Sequence, residues 1–310
     1  MKFVEIDAPE FDLATTLDSG QVFHWEKKDD GFIGTVGDLP AHIEQRGDSL
    51  IIRTGKLDRL KQSSFKSGAK AEKIVKQIVA HYFALDHPLE SICRSLPRDP
   101  TMDAAKGFCR GLRIIRQPKW ECLATFICSS MKQVAHIRQI SFALRKRFGQ
   151  AQKIDPPSPR LRRDKAFADF IVYTFPSAKR IARSSEKELR ECALGYRAKN
   201  LLVTARLIAS GRVDLEELGT SSDADLREAL CALPGVGAKV ANCVMLFAYE
   251  RFRAFPIDVW IERVLRENYF PHARKLNAAR LEAFTQKYFG EHGGYAQQYL
   301  FHYARKNLRR

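Results

Sequence analysis

The chain has 310 residues, of which 52 are Lys or Arg and 36 are Asp or Glu, so its formal net charge is +16 at pH 7. Hydrophobic residues make up 45% of the chain, and no apolar run approaches the roughly 20 residues needed to span a membrane. These values exclude a membrane-spanning protein, allow one large or two smaller domains, and favour a polyanionic partner.

The N-terminus and the cysteines indicate the cellular compartment. Residues 1–11 carry three acids and lack the apolar core of a signal peptide, so we expect a cytoplasmic protein. The cysteines are odd in number and form no C-x-x-C pair, which argues against a disulfide framework and a zinc site. They are Cys93, Cys109, Cys122, Cys128, Cys192, Cys231 and Cys243. The histidines show no metal-ligand spacing, so we expect no catalytic metal and no cofactor.

The first 55 residues contain short β-strand patterns separated by strong turn signals such as Asp29-Asp30-Gly31 and Gly47-Asp48. Closely spaced strands without intervening helices predict an antiparallel sheet. A helical pattern follows the sheet. The predicted strands are Lys2–Ile6, Gln21–Glu26, Phe32–Val36, His42–Gln45 and Leu50–Arg53, and the predicted helix is Ala69–Phe83.

From about residue 100 the pattern becomes helical. An apolar helix follows Pro118 and extends over Trp120–Ser130. The proline-rich basic stretch at 156–165 predicts an exposed loop, which is either solvated or in contact with phosphate. In a terminal helix, Gln297 and Phe301 lie one turn apart and could line one wall of a pocket, although core packing explains Phe301 almost as well.

The most informative stretch is the hairpin Leu233-Pro234-Gly235-Val236-Gly237, which joins two predicted helices. Proline fixes its own φ, and Gly235 and Gly237 permit the positive φ values of a tight hairpin. Glycines also let the backbone approach something flat or anionic. The next helix, Ala238–Tyr249, is apolar nearly all round, so it should be buried. Its first turn points unpaired amides and the positive dipole end at the hairpin, which suits a phosphate.

Lys239 opens this buried helix and is a candidate nucleophile, because a neutral amine can form Schiff bases. The alternative is a lysine that extends to solvent or pairs with a carboxylate. Cys243 lies one turn further along the same face. Asp258 precedes the apolar run Val259-Trp260-Ile261, where it should cap a helix. A carboxylate held there would also stabilise a cation that develops nearby.

The motif LPGVG-x-K-V-A-x-C with the later P-x-D-V element resembles the helix-hairpin-helix superfamily of DNA glycosylases, and within it the 8-oxoguanine DNA glycosylase family. The likeness extends from about Phe11 to Phe301. The cysteine cluster of relatives similar to endonuclease III, which holds an iron–sulfur cluster, is absent. The resemblance implies an enzyme that flips a damaged purine out of duplex DNA.

The resemblance also implies roles for individual residues. Leu17–Trp25 reads locally as a turn entering a strand, but the family uses the glycine of this element, here Gly20, to accept a hydrogen bond from N7–H of 8-oxoguanine. Gln297 would bind the Watson–Crick edge, and Phe301 and Cys243 would stack on the two faces of the base. In the string LGYRA, Tyr196 would wedge into the duplex and Arg197 would help bind the orphaned base. A buried tyrosine and a surface arginine are equally simple alternatives.

Three positions depart from the family pattern. Met131 stands where eukaryotic-type members begin an asparagine run, and His136 occupies the place of an arginine. Because in the family these positions serve the base opposite the lesion, the departures leave open whether cytosine is strictly preferred there. Trp260 replaces a histidine, so the phosphate contact of that histidine is either missing or made by the indole N–H.

We therefore predict an α+β fold, in which an N-terminal antiparallel β-sheet domain (1–105) packs on an all-helical helix-hairpin-helix glycosylase body (106–310). The predicted function is a bifunctional DNA glycosylase and AP lyase that excises 8-oxoguanine, with Lys239 as nucleophile and Asp258 as electrostatic stabiliser. The hairpin, Lys239, Tyr196, Arg197, Met131, His136 and Trp260 are predicted to contact DNA. The expected partner of the monomer is double-stranded DNA with an oxidised purine, on the nucleoid if the source is prokaryotic. The alternatives are a glycosylase for another damaged base, such as an alkylated purine, and a non-catalytic DNA-binding protein.

Overall fold

A computed structural model describes residues 3–55, 68–154, 170–273 and 275–307. The N-terminal part contains a five-stranded antiparallel sheet in the order β1-β5-β4-β3-β2. Its strands are β1 Val4–Asp7, β2 Glu26–Lys28, β3 Gly31–Val36, β4 Leu39–Arg46 and β5 Ser49–Thr54. The register sets Ile43 opposite both Phe32 and Ile52, so one face of the sheet is continuously apolar.

Helix α2, Gly68–Tyr82, packs on that apolar face. Val75 and Val79 are fully buried and belong to the same core as Ile43, Ile52 and Trp25. The helix agrees to within one residue at each end with the prediction from periodicity. The antiparallel sheet and the covering helix are thus confirmed.

The predicted strand Gln21–Glu26 is wrong, because only Glu26 belongs to β2. The segment passes between two cores: Val22 and Trp25 pack in the sheet core, while Phe23 packs in the helical core. Residues buried on both sides cannot alternate between core and solvent. Hydrogen bonds join this segment to residues 113–117 in place of a partner strand: the Gln21 side chain accepts from Ile115 N at 2.7 Å and donates to Arg113 O at 2.8 Å, and Gln117 Nε2 donates to Gln21 O at 2.7 Å.

The rest of the described chain is mostly helical. The helices are α1 Leu13–Asp18, α3 Leu89–Ser95, α4 Pro100–Phe108, α5 Lys119–Ser129, α6 Val134–Phe148, α7 Ala178–Ala182, α8 Glu186–Leu189, α9 Arg197–Ala209, α10 Asp223–Cys231, α11 Ala238–Tyr249, α12 Val259–Val264, α13 Ala278–Tyr288 and α14 Gly293–Asn307. A two-stranded antiparallel pair, β6 Ala151–Lys153 and β7 Ile171–Tyr173, accompanies them. The basic stretch predicted at 156–165 lies outside the described residues.

The helical core is centred on α11, which packs against α5 and α10. Val244 and Leu246 are fully buried, as the apolar pattern of this helix predicts. Helices α3 and α4 also contribute to this core, although they precede residue 110. The boundary at 105/106 between the two domains stays a prediction. No helix of the described residues is long and apolar enough to cross a membrane.

Candidate active site

The turn between α10 and α11 carries the predicted hairpin. Gly235 has φ of +82°, and a Cβ there would lie 2.8 Å from Asn200 Nδ2, so both conformation and space require glycine. Gly237 does not use the freedom that glycine gives, because its φ of −99° is one that any residue can adopt. No described atom lies within 4 Å of a Cβ built on Gly237. The space beside Gly237 is therefore open to a partner outside the protein.

Helix α9 holds the hairpin from behind. Asn200 packs against Gly235, and Thr204 Oγ1 donates to Pro234 O at 3.3 Å. At the front, α11 begins with Gly237 as its N-cap and no side-chain cap. Its first amides therefore face outward with the positive end of the helix dipole, which is the arrangement that binds a phosphate.

Lys239 lies in this first turn, and its side chain is half-buried. Nζ is 5.3 Å from the centroid of the Phe126 ring on α5. Cys243, one turn further along α11, is 3% exposed, and burial raises the pKa of its thiol to about 11 against the opposing effect of nearby Lys239. The thiol is therefore neutral at physiological pH and serves as a small apolar wall.

Asp258 is the N-cap of α12. Its Oδ1 accepts from Trp260 N at 3.1 Å and from Ile261 N at 2.9 Å. Burial raises the pKa of this carboxyl above the ordinary aspartate value, while the two amides and Lys239 act in the opposite direction. The capping role predicted from the sequence is confirmed. The effect of Lys239 on the pKa of Asp258 shows that the two predicted catalytic groups lie near each other.

An open cavity of about 730 Å³ lies over Lys239 and Asp258; we call it the outer cleft. It is lined by residues from both parts of the protein, among them Gly20, Met131, Trp260, Phe301 and Arg305. Ala135 and Ile137 also line it, whereas His136 between them is exposed on α6 and is not part of the lining.

A second cavity of about 40 Å³, the inner pocket, lies deeper. Gly20, Cys243, Gln297 and Phe301 line it together with Lys239 and Asp258, so the structure brings together all four predicted base-binding residues. Its volume holds about one water molecule, far less than a purine base. The volume is small because the Phe301 ring lies close to Gly20. A Cβ added to this glycine would be only 2.9 Å from Phe301 Cε1.

Gln297 is 4% exposed, and its Oε1 has no hydrogen-bond partner among the described residues. Buried polar atoms are rarely left unpaired, because the lost hydration costs free energy. The adjacent Gln298 is equally buried but is satisfied, since its Nε2 donates to Ser19 O at 2.9 Å. An unpaired acceptor in the inner pocket therefore marks a place for a donor that the protein does not supply.

Sequence reasoning missed the residues that fix the Gly20 turn. Gly20 has φ of +86°, and the turn is held by Gln298 at Ser19 O and by Arg305, which donates to Asp18 O. Arg305 also lies over the Phe301 ring, 5.7 Å from its centroid. Spacing on α14 could have suggested Arg305, which is one turn beyond Phe301, but its distant partner Asp18 could not be read from the sequence.

The predicted DNA-contacting residues differ in exposure. Met131 is 92% exposed and Tyr196 is 55% exposed, while Arg197 is only 5% exposed. Trp260 is half-buried beside Asp258 and lines the outer cleft. Among the described residues, no group of three or more His, Cys, Asp or Glu side chains could hold a metal ion.

The hairpin, the lysine on its helix and the capping aspartate define a class of DNA-repair protein. Residues 125–288 match the HhH-GPD superfamily of base excision DNA repair proteins, to which the chain therefore belongs. Residues 3–123 match the N-terminal domain of 8-oxoguanine DNA glycosylase. Both matches together make the chain a member of the 8-oxoguanine DNA glycosylase family.

Known relatives are similar over nearly the whole chain. A probable N-glycosylase/DNA lyase of Methanothermobacter thermautotrophicus is 27% identical over 98% of this chain and 96% of its own length. The structure of MBOgg1 with a low-affinity DNA ligand is 30% identical, with a TM-score of 0.83 over 99% of this chain and 96% of that chain. The 8-oxoguanine glycosylase/lyase of Clostridium acetobutylicum, bound to duplex DNA with cytosine opposite 8-oxoguanine, is 27% identical, with a TM-score of 0.80 over 99% of each chain.

Proposed function

We propose that Lys239 and Asp258 carry out the chemistry of this protein, a bifunctional 8-oxoguanine DNA glycosylase and AP lyase. The observation that carries the proposal is the unpaired Oε1 of Gln297, buried in a pocket that Lys239 and Asp258 also line. A binding site for a base with donor groups and a candidate nucleophile therefore share one cavity.

The inner pocket suits the damaged purine once Phe301 moves away from Gly20. The Watson–Crick edge of 8-oxoguanine carries N–H donors for Gln297 Oε1, and its N7–H would donate to the Gly20 carbonyl. Ordinary guanine has a lone pair at N7 and would bring two acceptors together. A buried unpaired carbonyl costs about 1–3 kcal/mol, and this penalty separates the lesion from the normal base.

In the proposed reaction the neutral amine of Lys239 attacks C1′ of the deoxyribose. The Nζ–C1′ bond forms and the C1′–N9 bond breaks, and the base departs with the electron pair and takes up the proton that the alkylated Nζ releases. The Asp258 carboxylate stabilises the positive charge that develops on the sugar. Opening of the sugar ring gives a Schiff base on Lys239. Loss of a proton from C2′ then expels the 3′ phosphate, which is the lyase step.

The protein binds double-stranded DNA. The outward amides of the α11 N-terminus and the side-chain-free surface of Gly237 suit one phosphate, and the net charge of +16 suits the others. Trp260 lines the cleft at the position of the family's phosphate-binding histidine. The exposed Tyr196 ring suits the gap left by the flipped base. We also propose a monomer that acts in the cytoplasm, or on the nucleoid of a prokaryote.

Borohydride trapping tests the proposal. Duplexes that contain one 8-oxoguanine opposite each of the four bases are incubated with the protein and borohydride, which reduces a Schiff base to a stable adduct. We expect an adduct with the native protein and none with Lys239→Gln, while binding to the duplex persists. Lys76→Gln on α2 is the matched control, because this half-buried lysine pairs with Glu72 and lies outside both cavities. It should give the native yield.

Other outcomes would contradict the proposal in distinct ways. Base release without an adduct would mean that water is the nucleophile and that Lys239 has another role. An adduct that persists in Lys239→Gln would assign the nucleophile to another amine. Release of an alkylated purine in preference to 8-oxoguanine would overturn the lesion assignment of the inner pocket.

A further inference from the structure

Arg305 lies on α14, one turn beyond Phe301, and its side chain contacts the N-terminal part of the chain. Its Nη2 donates to Asp18 O and lies 3.8 Å from Asp18 Oδ1. Its guanidinium carbon is 5.7 Å from the centroid of the Phe301 ring. The side chain is only 14% exposed, so the protein covers most of it. One guanidinium therefore contacts both the Gly20 turn and the aromatic ring that lies against this turn.

The Gly20 turn is bound to α14 through two successive carbonyls. Asp18 is the last residue of α1, and its carbonyl accepts from Arg305. The next carbonyl, that of Ser19, accepts from Gln298 Nε2 at 2.9 Å. Because a peptide unit is planar, binding of both oxygens fixes the two peptide planes that lead into Gly20. Gly20 itself has φ of +86° and the conformational freedom of glycine, so the direction of its own carbonyl depends on these neighbouring contacts.

Arg305 lies beside the inner pocket without being part of its lining. It lines the outer cleft, whereas the inner pocket is lined by Gly20 and Phe301. A Cβ built on Gly20 would lie 3.4 Å from Arg305 Nη1 and 2.9 Å from Phe301 Cε1, so the guanidinium and the ring lie side by side against this glycine. In this position the guanidinium affects a base in the inner pocket through the two lining residues, without touching the base.

The hydrogen bonds that hold the turn do not involve the Phe301 ring. The inner pocket, at about 40 Å³, admits a purine only after this ring moves away from Gly20. That movement removes a packing contact from the turn. The bonds from Arg305 and Gln298 end on backbone carbonyls, so they can persist while the ring moves. Helix α14 thus carries both the ring that moves and the side chains that hold the turn.

We propose that Arg305 is a positioning residue for recognition of the damaged base. It holds the Gly20 carbonyl in the direction that meets N7–H of 8-oxoguanine, and it supports the Phe301 ring from the side of the outer cleft. The proposal rests on the proposed function, in which this carbonyl distinguishes the lesion from guanine. The adjacent Lys306 has no such role, because its Nζ pairs with Asp18 Oδ2 at 2.6 Å and lines neither cavity.

The test compares two reactions of the same protein. Excision of 8-oxoguanine uses the inner pocket, whereas cleavage of a preformed abasic site needs Lys239 and the duplex contacts but presents no base. We expect Arg305→Met to slow single-turnover excision about tenfold, because a misplaced carbonyl and ring lose the geometry of the bound base. Cleavage of the abasic site should keep its native rate.

Lys306→Met is the matched control. It removes one positive charge from the same helix and from the same partner, Asp18, as Arg305→Met does. It leaves the hydrogen bond to Asp18 O and the contact with the Phe301 ring in place. Both of its rates should be native. An equal loss of excision in Lys306→Met would overturn the proposal, because the charge near Asp18 would then account for the effect.

Arg305→Lys separates the two contacts of the guanidinium, and it replaces Arg305→Met if that variant does not fold. An ammonium can donate to Asp18 O but has no plane to lie over the Phe301 ring. We expect an excision rate between those of the native protein and Arg305→Met, with native cleavage of the abasic site. A rate as low as that of Arg305→Met would contradict the role of the hydrogen bond, and a native rate would contradict the role of the ring contact.

Three further outcomes would overturn the proposal. Equal losses of excision and abasic-site cleavage in Arg305→Met would indicate general damage to the protein. Native excision in this variant would show that the Gly20 turn needs no arginine. A larger loss of affinity for undamaged duplex than in Lys306→Met would assign the guanidinium to a DNA phosphate. A native protein that cleaves abasic sites but does not release 8-oxoguanine would instead contradict the proposed function, and this result is obtained without any variant.

Discussion

The inner pocket and the outer cleft meet at Lys239 but differ in nearly every physical property. The outer cleft is open, has a volume of about 730 Å³ and carries exposed side chains such as Met131 at its rim. The inner pocket has a volume of about 40 Å³, has the Phe301 ring against Gly20, and holds an unpaired buried acceptor. Under the proposed function, capture of DNA in the outer cleft is separated from recognition of the base in the inner pocket, which requires displacement of the Phe301 ring.

Lys239 belongs to both cavities, so its replacement should have the largest effect. Lys239→Gln removes the amine and should abolish excision and strand cleavage, since no other lysine lines the inner pocket among the described residues. Duplex affinity should remain, because the outward amides of α11 do not depend on this side chain. Gel shift and single-turnover assays on the same duplex check both halves of this prediction.

The closed contact between Gly20 and Phe301 predicts the next largest effect. Gly20→Ala places a Cβ 2.9 Å from Phe301 Cε1 at a residue with φ of +86°, so the turn and the ring must both shift. We expect kcat/KM for 8-oxoguanine to fall about 10²-fold, as for other misplaced site residues. Affinity for undamaged duplex, which uses the outer cleft, should be native. Equal losses in kcat/KM and in affinity for undamaged duplex would contradict the separation between capture of DNA and recognition of the base.

Adjacent glutamines on α14 allow a matched comparison. Gln297→Met removes the unpaired acceptor and should lower excision about tenfold with little change in the free energy of unfolding. Gln298→Met leaves Ser19 O without its donor and should lower the free energy of unfolding by about 1–3 kcal/mol. Urea unfolding and single-turnover rates measure the two effects, and the opposite pattern would assign base recognition to Gln298.

The pH dependence of Asp258 predicts the smallest effect. Because burial raises the pKa of its carboxyl in the folded protein, the carboxylate takes up a proton at a higher pH than an ordinary aspartate as the solution is acidified. Excision should therefore fall along an acid limb centred above the ordinary aspartate pKa.

For stability the sign is reversed. A folded-state pKa above the unfolded value contributes stability that is full below the unfolded pKa and lost as the pH rises through the folded pKa. Asp258→Asn keeps an acceptor for Trp260 N and Ile261 N and should be more stable than the native protein at neutral pH, but less active. Thermal unfolding of the native protein and Asp258→Asn at two pH values checks the effect on stability. The pH profiles of their excision rates check the effect on activity.

Local chemistry made part of this molecule predictable. The hairpin, the buried helix after it and the cap at Asp258 depend on residues close in sequence, whose conformations glycine, proline and a capping carboxylate restrict directly. The strands β3, β4 and β5 were equally predictable from alternation between turns. Of the two hairpin glycines, Gly235 adopts the positive φ that both permit and Gly237 does not.

Other features depend on contacts between distant segments. The segment from Gln21 to Trp25 has the composition of a strand, yet burial between two cores gives it no partner strand. The contact of Phe301 with Gly20 and the hydrogen bond from Arg305 to Asp18 O join opposite ends of the chain. The burial of Arg197 could not be inferred, because an arginine in a motif is compatible with solvent, DNA or a carbonyl partner.

The position of helix α9 has a consequence for the proposed contacts with DNA. Its N-terminal end carries Tyr196 and Arg197, and its following turns contact the hairpin through Asn200 and Thr204. A single helix thus sets the distance between the Tyr196 ring and the hairpin, which are two of the proposed DNA contacts. Insertion of one alanine between Arg197 and Asn200 would rotate Tyr196 and the hairpin by about 100° relative to each other.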